Sequence, residues 1–394
     1  MPDMKRALLA LGVATLVTGL AAPAAAKPAA PGRATLTGFA SLPAETFVPN
    51  SETSGTQLGP DPVNGLTPPF AGQPVQGFSG IVPRGGGVYE MLSDNGFGSK
   101  GNSADFLLRV HRVEPDLRGG TVKVLGGFDL ADPDRHITFP ITREDRRLTG
   151  ADFDVESIVR ATDGTYWIGD EFGPFLLHFS STGRLLEAPI PLPGVQAPEN
   201  PFLNGAEPNL GRSKGFEGMA RSLDGKRLYP LLEGTVSGDP AGTLRMYEFD
   251  VRERAYTGKR WTYPLDAPGH AIGDAVVVDR NRFLIIERDG AQGDAARTKK
   301  IYLADVRDRN HDGAMDKTLV ADLLDIANPK GLGGFGRTFR FPFETIEDVA
   351  ILDDRTLIVA NDNNFPFSTG RTPGKPDDNE FITIKLPRPL HATR

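Results

Sequence analysis

The stretch that decides the fold is VESIVRATDGTYWIGDEFG, residues 155–173. It reads as an apolar strand, a tight turn at Asp163-Gly164, and a second apolar strand that ends on Asp170 and Glu171. An Asp-Gly pair between two apolar runs is the strongest short-range signal for a β-hairpin. The stretch therefore predicts two antiparallel strands joined by a tight turn, with two acids at one end.

This hairpin pattern occurs five times along the chain. Each copy opens with an acidic or small residue beside an aliphatic one, runs through two short strands and closes on Asp or Glu. The other copies are FSGIVPRGGGVYEMLSDNG (78–96), FEGMARSLDGKRLYPLLEG (216–234), IGDAVVVDRNRFLIIERDG (272–290) and IEDVAILDDRTLIVANDNN (346–364). Self-similarity of this kind indicates a repeat architecture.

Further strands are predicted after each hairpin. Third strands are expected over 105–113, 175–180, 243–251, 299–306 and 380–387, and fourth strands over 121–130, 183–192, 254–265 and 318–326. The last hairpin lacks a fourth strand, which residues 33–42 can supply. The sequence therefore predicts an all-β protein, a β-propeller of four-stranded blades whose ring is closed by the N-terminal strand pairing with the last blade.

Two alternatives to a five-bladed propeller stay open. A sixth blade can lie within the insertions 43–77, 131–152 or 190–213, although their Pro-rich, weakly periodic sequence argues against it. The same strands can also build a β-sandwich. A fixed hairpin motif that recurs five times is unusual in sandwiches, so we expect a propeller of five or six blades.

The first 26 residues predict a secretory signal peptide. Lys5 and Arg6 precede an apolar run over 7–22, and Ala24-Ala25-Ala26 offers a small-residue cleavage site. The alternative is a membrane anchor, which is disfavoured because the apolar run is short for a span.

The remaining chain is expected to be a disordered leader over residues 27–33 and a single propeller domain over 34–390. We therefore expect a secreted or periplasmic protein with no membrane span after signal cleavage, and a monomer.

Composition narrows the function classes. The chain has 394 residues, a formal net charge of −7 and no basic run, which argues against a nucleic-acid partner. It has no Cys, which excludes disulfides, thiolate nucleophiles and Cys-based metal sites. Its 46 Gly and 33 Pro suit a turn-rich all-β fold.

Acidic residues recur where each hairpin opens onto one face of the propeller. The predicted facing pairs are Glu156 with Glu171, Glu217 with Glu233, Asp274 with Glu287, Glu347 with Asp362, and Ser79 with Asp94. Like charges packed in a ring repel one another unless a cation neutralises them or some are protonated. Hard oxygen ligands favour Ca²⁺, so the set predicts a metal funnel near the axis. The alternative is that these acids cap strand ends.

A second calcium site is predicted in the link DVRDRNHDGAMD, residues 305–316. Asp308, Asn310, Asp312 and Asp316 follow the spacing of the first half of an EF-hand loop. The bidentate Glu and the flanking helices of an EF-hand are missing. We therefore expect a peripheral structural calcium loop, with an Asx-rich turn as the alternative.

Two further residues are candidates for catalytic chemistry. His270 lies in the loop before a first strand on the acidic face, where a histidine can do acid–base work. Lys214 directly precedes the GFEG of the third copy, so we expect it to enter the funnel beside Glu217. The alternative role of such cations is to pair with the acids.

The longest motifs resemble a known family. They are DFDVESIVRATDGTYWIGDEFGPFLLHFSSTGRLLEAPIPLPGV, SKGFEGMARSLDGKRLYPLLEG, RMYEFDV and YTGKRWTYPLD. The chain resembles the phytase-like family, usually labelled "esterase-like activity of phytase", over about residues 36 to 388. Its members are secreted bacterial and plant proteins with a propeller fold.

The resemblance implies a calcium-dependent hydrolase that acts on a phosphate or carboxylic ester through a metal-activated water. His270, Lys214 and Glu217 are then the catalytic candidates. This sequence has no dense Lys/Arg cluster for a highly charged inositol phosphate, so a smaller ester or phosphodiester is expected.

Two other functions stay open. One is a non-catalytic propeller that binds a ligand or partner and holds calcium structurally. The other is a lactonase-type hydrolase with an apolar wall, for which the candidates are Phe97, Phe172, Phe175, Phe365 and Phe367.

Overall fold

The computed structural model describes residues 32–392, and that part of the chain is built from short strands. In chain order the strands are β1 Thr35–Leu42, β2 Phe78–Gly85, β3 Val88–Ser93, β4 Arg109–Asp116, β5 Thr121–Asp129, β6 Val155–Arg160, β7 Tyr166–Asp170, β8 Phe175–Phe179, β9 Ile190–Pro191, β10 Phe216–Arg221, β11 Arg227–Leu232, β12 Thr243–Asp250, β13 Ala255–Pro264, β14 Ala271–Val277, β15 Arg282–Arg288, β16 Lys299–Asp305, β17 Asp316–Asp322, β18 Ile326–Ala327, β19 Thr338–Phe339, β20 Asp348–Asp353, β21 Thr356–Ala360 and β22 Asn379–Lys385. Three short 3-10 helices span Thr56–Leu58, Gly293–Ala295 and Leu332–Gly334. The predicted all-β class is confirmed.

Most strands belong to four-stranded antiparallel groups that follow the chain. The second sheet is β6–β9, the third sheet is β10–β13 and the fourth sheet is β14–β17. The strands β2–β5 and β20–β22 belong to one larger sheet in the order β2-β3-β4-β5-β1-β22-β21-β20.

The N-terminal strand closes the ring as predicted. β1 runs antiparallel to β22 from Thr35 opposite Lys385 to Leu42 opposite Asn379, so it is the fourth strand beside β20–β22. A single parallel bridge between Ser41 and Thr121 links β1 to β5. The first and last groups of strands are thereby joined without an open edge between them.

The first strand of each group lies innermost, and these strands contact one another in a cycle. β2 contacts β6 and β20, β10 contacts β6 and β14, and β14 contacts β20. Glycine permits the closest approaches: a Cβ on Gly273 would lie 2.0 Å from the carbonyl oxygen of Ile346, and one on Gly80 would lie 2.6 Å from Cγ2 of Ile158. This cycle of inner strands surrounds the axis of the β-propeller.

Apolar side chains fill the space between successive sheets. One cluster joins Leu92 and Val110 of the first group to Ile168 and Leu177 of the second sheet. Equivalent clusters lie between the other neighbouring sheets. Each sheet therefore buries both faces against its neighbours, which explains why its strands contain near-continuous apolar runs.

The hairpin turns lie where the Asp-Gly pairs predict them. Gly164 and Gly225 have φ of 91° and 72°, in the region that favours glycine. Asp163 accepts a hydrogen bond from the N–H of Thr165 at 3.0 Å, which closes the β6–β7 turn.

One predicted strand is much shorter than expected. The fourth strand of the second sheet, predicted over residues 183–192, is reduced to Ile190–Pro191. Pro189, Pro191 and Pro193 lack the N–H that a continued ladder needs. The signal peptide and most of the leader, predicted over residues 1–33, lie outside the described residues.

Candidate functional site

A β-bulge near the start of four inner strands positions the side chains of the site. The pairing skips Glu156 in β6 and Glu217 in β10. In β2 the register shifts between Phe78 and Ile81, and in β14 the pairing skips Gly273. A bulge leaves its extra residue out of the ladder and re-aims its side chain, which explains how acids of neighbouring sheets meet.

The pairing predicted for Asp274 and Glu287 is wrong by one residue. Because the β14 bulge skips Gly273, Glu287 pairs with Ile272 and Asp274 pairs with Ile286. The bulge position of the fourth sheet is therefore a glycine, where the second and third sheets have glutamates.

The same shift changes which residue of β15 reaches the site. Asp170 and Leu232 pair with the residue just before the bulge in their sheets. Glu171 and Glu233 directly follow these two residues. In the fourth sheet that paired residue is Glu287, so the following position is Arg288. The fourth sheet therefore presents a cation where its neighbours present carboxylates.

Eight buried carboxylates form what we call the central cluster. They come from the second and third sheets and from the first and last groups of strands, and each is at most 9% exposed. The members are Asp94, Asp154, Glu156, Glu171, Glu217, Glu233, Glu347 and Asp362. Seven of these were predicted from sequence as metal ligands, and Asp154 was not.

Burial and mutual repulsion raise the pKa of most of these acids. Burial is the main cause for Glu156, whose pKa lies well above its usual value, and Asp154 and Glu217 add to it. The pKa of Glu171 is raised in the same way, by burial and then by Glu233. The cluster therefore favours any bound cation or proton that reduces its negative charge.

Arg288 neutralises one half of the central cluster. Its Nη2 lies 3.0 Å from Oε1 of Glu347, 3.2 Å from Oε1 of Glu233 and 3.4 Å from Oε1 of Glu217. Lys214 pairs with the other oxygen of Glu233. We call Glu217, Glu233 and Glu347 the arginine half.

The other half has no such partner. Asp154, Glu156 and Glu171 each offer a carboxylate oxygen within 4.8 Å of the others, and none forms an ion pair within residues 32–392. Oδ1 of Asp154 and Oε1 of Glu171 are buried without a hydrogen-bond partner there. We call these three residues the open half.

A second group of three acids also meets the spacing that a metal needs. It consists of Glu171, Glu217 and Glu233. Two of its members already contact Arg288. The open half is therefore the better candidate, since its oxygens are not engaged by a cation of the chain.

Sequence reasoning missed Asp154 although a signal was present. Asp154 lies two residues before Glu156, just ahead of β6. Burial raises the pKa of its carboxyl group, and contacts with Glu156, Ser213 and Asn95 offset part of that rise. Because Asp154 lies ahead of the strand, it is not one of the hairpin-end residues from which the site was predicted.

Asp170 holds the backbone next to the open half in place. Its Oδ1 accepts the N–H of Asp154 at 3.0 Å, and its Oδ2 accepts the N–H of Gly173 at 2.8 Å. Burial raises its pKa to about 7. It therefore fixes the backbone that carries Asp154.

Glu287 and His270 lie in a separate buried network. The Glu287 carboxylate accepts from Nζ of Lys317 at 2.6 Å and from the hydroxyl of Tyr263 at 2.9 Å. It also contacts Nδ1 of His270 at 2.9 Å and the N–H of Asp266 at 2.6 Å. The structure therefore places His270 against Glu287 and not against an acid of the central cluster.

Asp274 lies directly after the bulge of the inner strand β14. Its carboxylate accepts the N–H of Ala275 at 2.7 Å and of Val349 at 3.0 Å. Burial raises its pKa to about 7. Both oxygens thus have backbone partners, and Asp274 is not a member of the central cluster.

The predicted peripheral calcium loop is an exposed link between β16 and β17. Asp308 accepts the N–H of Asp312 and of Gly313, each at 3.0 Å, and Asp316 accepts the N–H of Arg309 at 3.0 Å. These acids cap backbone amides, as the Asx-rich turn alternative expects. Calcium binding by this loop stays a prediction.

The phenylalanines proposed as an apolar wall are mostly core residues. Phe97, Phe172, Phe175 and Phe365 are buried, whereas Phe367 is exposed. Phe97 packs on Phe106 at 5.5 Å between ring centroids. Their burial reduces the apolar surface available to a lactone substrate at the funnel.

With this geometry in place, comparison with known proteins identifies the class. The family model described as "Phytase-like: Esterase-like activity of phytase" matches residues 73–365. The chain belongs to this family, and the predicted resemblance is confirmed.

One curated relative is described as a secreted protein. An "Uncharacterized secreted protein" of Arthroderma benhamiae is 27% identical over 221 residues, covering 46% of this chain and 42% of the relative. The alignment thus spans less than half of the relative.

Among the described residues, no helix combines the length and hydrophobicity needed to cross a bilayer.

Solved structures similar to this chain are distant. A GH43 β-1,3-galactosidase is 11% identical, with a TM-score of 0.44 over 79% of this chain and 57% of that one. A PQQ-bound aldose sugar dehydrogenase from Streptomyces coelicolor is 13% identical, with a TM-score of 0.36 over 79% of this chain and 95% of that one.

Proposed function

We propose that this protein is an exported hydrolase of the phytase-like type that acts on a small phosphate or carboxylic ester with the help of Ca²⁺. The open half of the central cluster carries the proposal. Three buried carboxylates without a cationic partner, two of them with an unpartnered oxygen, are costly unless a cation binds them.

The donor set suits a hard divalent cation. Asp154, Glu156 and Glu171 supply only carboxylate oxygens, which Ca²⁺ prefers, and no nitrogen or sulfur ligand lies among them. When bound, the ion would offset the charge of the acids and act as a Lewis acid toward an ester oxygen.

The arginine half is suited to holding a proton. Glu217 is hydrogen bonded to Glu347, and two carboxyl groups in such contact share a proton. Burial, Glu347 and Glu233 raise the pKa of Glu217 well above its usual value. Glu217 is therefore the group proposed to deliver a proton to the leaving group.

Lys214 is proposed to bind the anionic part of the substrate. Its ammonium pairs with Glu233, while 44% of its side chain is exposed. Burial lowers its pKa, but the charges of Glu233 and Glu171 raise it by more, so the amine stays protonated. His270 is bonded to Glu287 and has no place in this proposal.

A non-catalytic propeller with structural calcium is the second candidate. The burial of the open half favours it, since Glu171 is only 4% exposed. In an enzyme the cation keeps a coordination position for substrate, whereas protein oxygens saturate a structural site.

Hydrolysis of aryl esters and aryl phosphates by the purified protein tests the proposal. We expect turnover with calcium, loss of turnover with a chelator, and loss in both Glu217→Gln and Asp154→Asn. The control is Glu253→Gln, since the Glu253 side chain is 68% exposed. If Glu217→Gln and the unaltered protein behave alike on every substrate, the catalytic proposal fails and the binding propeller replaces it.

A further inference from the structure

The five inner strands surround an axial channel, and a cavity lies in this channel at the end opposite the central cluster. This lower cavity has a volume of about 400 Å³ and is lined by the inner strands β2, β6, β10, β14 and β20. Its mouth lies near the hairpin turns of these strands, whereas the central cluster lies near their starts. The two sites are therefore at opposite ends of one channel.

The lining changes character along the strands. Two residues beyond the bulges of β6, β10 and β14, and at the matching positions of β2 and β20, the side chains are apolar. They form a belt of Ile81, Ile158, Met219, Ala275 and Val349. Four residues beyond the bulges the second and third sheets carry Arg160 and Arg221. The lower cavity thus combines an apolar belt with two cations from neighbouring sheets.

The two arginines lack acidic partners. Within residues 32–392 neither forms an ion pair. Arg160 lies near the hydroxyl of Tyr166, which donates to Glu90 at 2.6 Å, and its Nε is buried without a partner in the same range. Arg160 thus keeps one buried donor without a partner, and both arginines are only partly exposed, so an anion from outside the chain can pair with their guanidinium groups.

Thr162 adds a hydroxyl beside these guanidinium groups. Nη1 of Arg221 and Cγ2 of Thr162 lie 2.9 Å and 2.7 Å from the point that a Cβ on Gly225 would occupy. A side chain of the second sheet and one of the third therefore meet at the mouth of the lower cavity. Glycine in the Asp-Gly turn leaves the room for this contact.

Asp274 is the acid of the lining, and it lies at the inner end. It precedes the apolar belt along β14, and its two oxygens accept backbone N–H groups. Negative charge of a ligand is therefore disfavoured at the inner end and favoured at the arginine end. This polarity fixes the orientation of an amphipathic anion.

We propose that the lower cavity binds a small amphipathic anion, a free acyl carboxylate or alkyl phosphate, at a site distinct from the central cluster. Its head group lies between Arg160 and Arg221, whose planar guanidinium groups match both oxyanions. Its apolar chain lies against the belt, as in other small-molecule pockets with few polar contacts.

Displacement of the fluorescent sulfonate 8-anilinonaphthalene-1-sulfonate tests the proposal on the calcium-loaded full chain. We expect octanoate and octyl phosphate to displace it, and octanol, which lacks the charge, to do so far more weakly. Arg221→Gln should weaken octanoate about tenfold or more, since it removes a charge-assisted contact. Arg160→Gln should act in the same direction.

The matched control is Arg252→Gln, because the Arg252 side chain is 93% exposed. Unchanged melting temperature and unchanged ester hydrolysis in Arg221→Gln would show that the variant is folded and that the two ends of the channel are independent. Equal displacement by octanoate and octanol, equal octanoate affinity in Arg221→Gln, or competition by inorganic phosphate alone as strong as by octyl phosphate would overturn the proposal.

Discussion

The second and fourth sheets place opposite charges at the same position of the repeat. In the second sheet the bulge carries Glu156, and Glu171 directly follows the neighbouring strand β7. In the fourth sheet the equivalent positions are Gly273 and Arg288. The second sheet thus places two acids near the axis, whereas the fourth sheet has neither acid at these positions and places a cation there.

This difference divides the central cluster into two halves. Arg288 reaches across to Glu217, Glu233 and Glu347, so the arginine half is neutralised within the chain. The open half forms no ion pair with Arg288 among the described residues, and in our proposal a cation from solution offsets its charge. Removing Arg288 and removing a bound cation should therefore change the stability of the protein to different extents.

The largest effect is expected from removing the built-in cation. Arg288→Met leaves three buried carboxylates without their partner, and breaking a buried ion pair in this way costs about 3 to 5 kcal/mol. Urea unfolding in the presence of a chelator measures this loss of unfolding free energy. Arg252→Met, on the exposed surface, is the control and should change stability little.

Calcium should stabilise the protein through the open half. At a hundred times the dissociation constant a bound ion adds about 2.7 kcal/mol to the free energy of unfolding. Thermal unfolding with calcium and with chelator measures this difference. In a protein that carries Asp308→Asn and Asp312→Asn in the peripheral loop, the difference should vanish on adding Asp154→Asn and persist on adding His270→Ala. The reverse result would move the metal away from the open half.

Substitution by Gln should have opposite effects on the free energy of unfolding at Glu287 and at Glu171. Glu287→Gln removes a charge that Lys317 and two further side chains share, and we expect a loss of about 2 kcal/mol. Glu171→Gln removes a repelling charge, so the chelated protein should be at least as stable as before. Urea unfolding of both variants in the presence of a chelator measures the two changes in the free energy of unfolding.

The smallest effect concerns the pH dependence of the chelated protein. The raised pKa of the buried acids means that the folded state binds more protons than the unfolded state, so stability falls as pH rises. For Asp170 this window runs from its usual pKa of 3.8 to about 7.

Glu171→Gln removes one such group from the pH profile. Its slope should be shallower by up to about 1.4 kcal/mol per pH unit, the value for one proton. Calcium should flatten the profile of the unaltered protein in the same way. A profile that rises with pH in chelator would contradict the raised pKa values.

The repeat in the sequence predicts most of the fold. The Asp-Gly turns, the inner hairpins and the N-terminal closing strand follow from local patterns and are observed at their predicted places. The fourth strand of the second sheet was predicted too long, because its prolines interrupt the ladder.

The site was predicted less completely than the fold, for one physical reason. A β-bulge shifts the register by one residue, and a shift of one residue exchanges the faces of a strand. Where the bulge falls on Gly273, no side chain marks it in the sequence. The expected pair of Asp274 and Glu287 was therefore displaced by one residue, which places Arg288 beside the acids of the cluster.

Calorimetric titration with calcium tests the central claim most directly. The protein should carry Asp308→Asn and Asp312→Asn, so that the peripheral loop adds no signal. We predict that this protein binds one calcium ion, and that a further Asp154→Asn abolishes the binding while Glu253→Gln leaves it intact. Calcium binding that is absent from the start, or that survives Asp154→Asn unchanged, would contradict the assignment of the open half as a metal site.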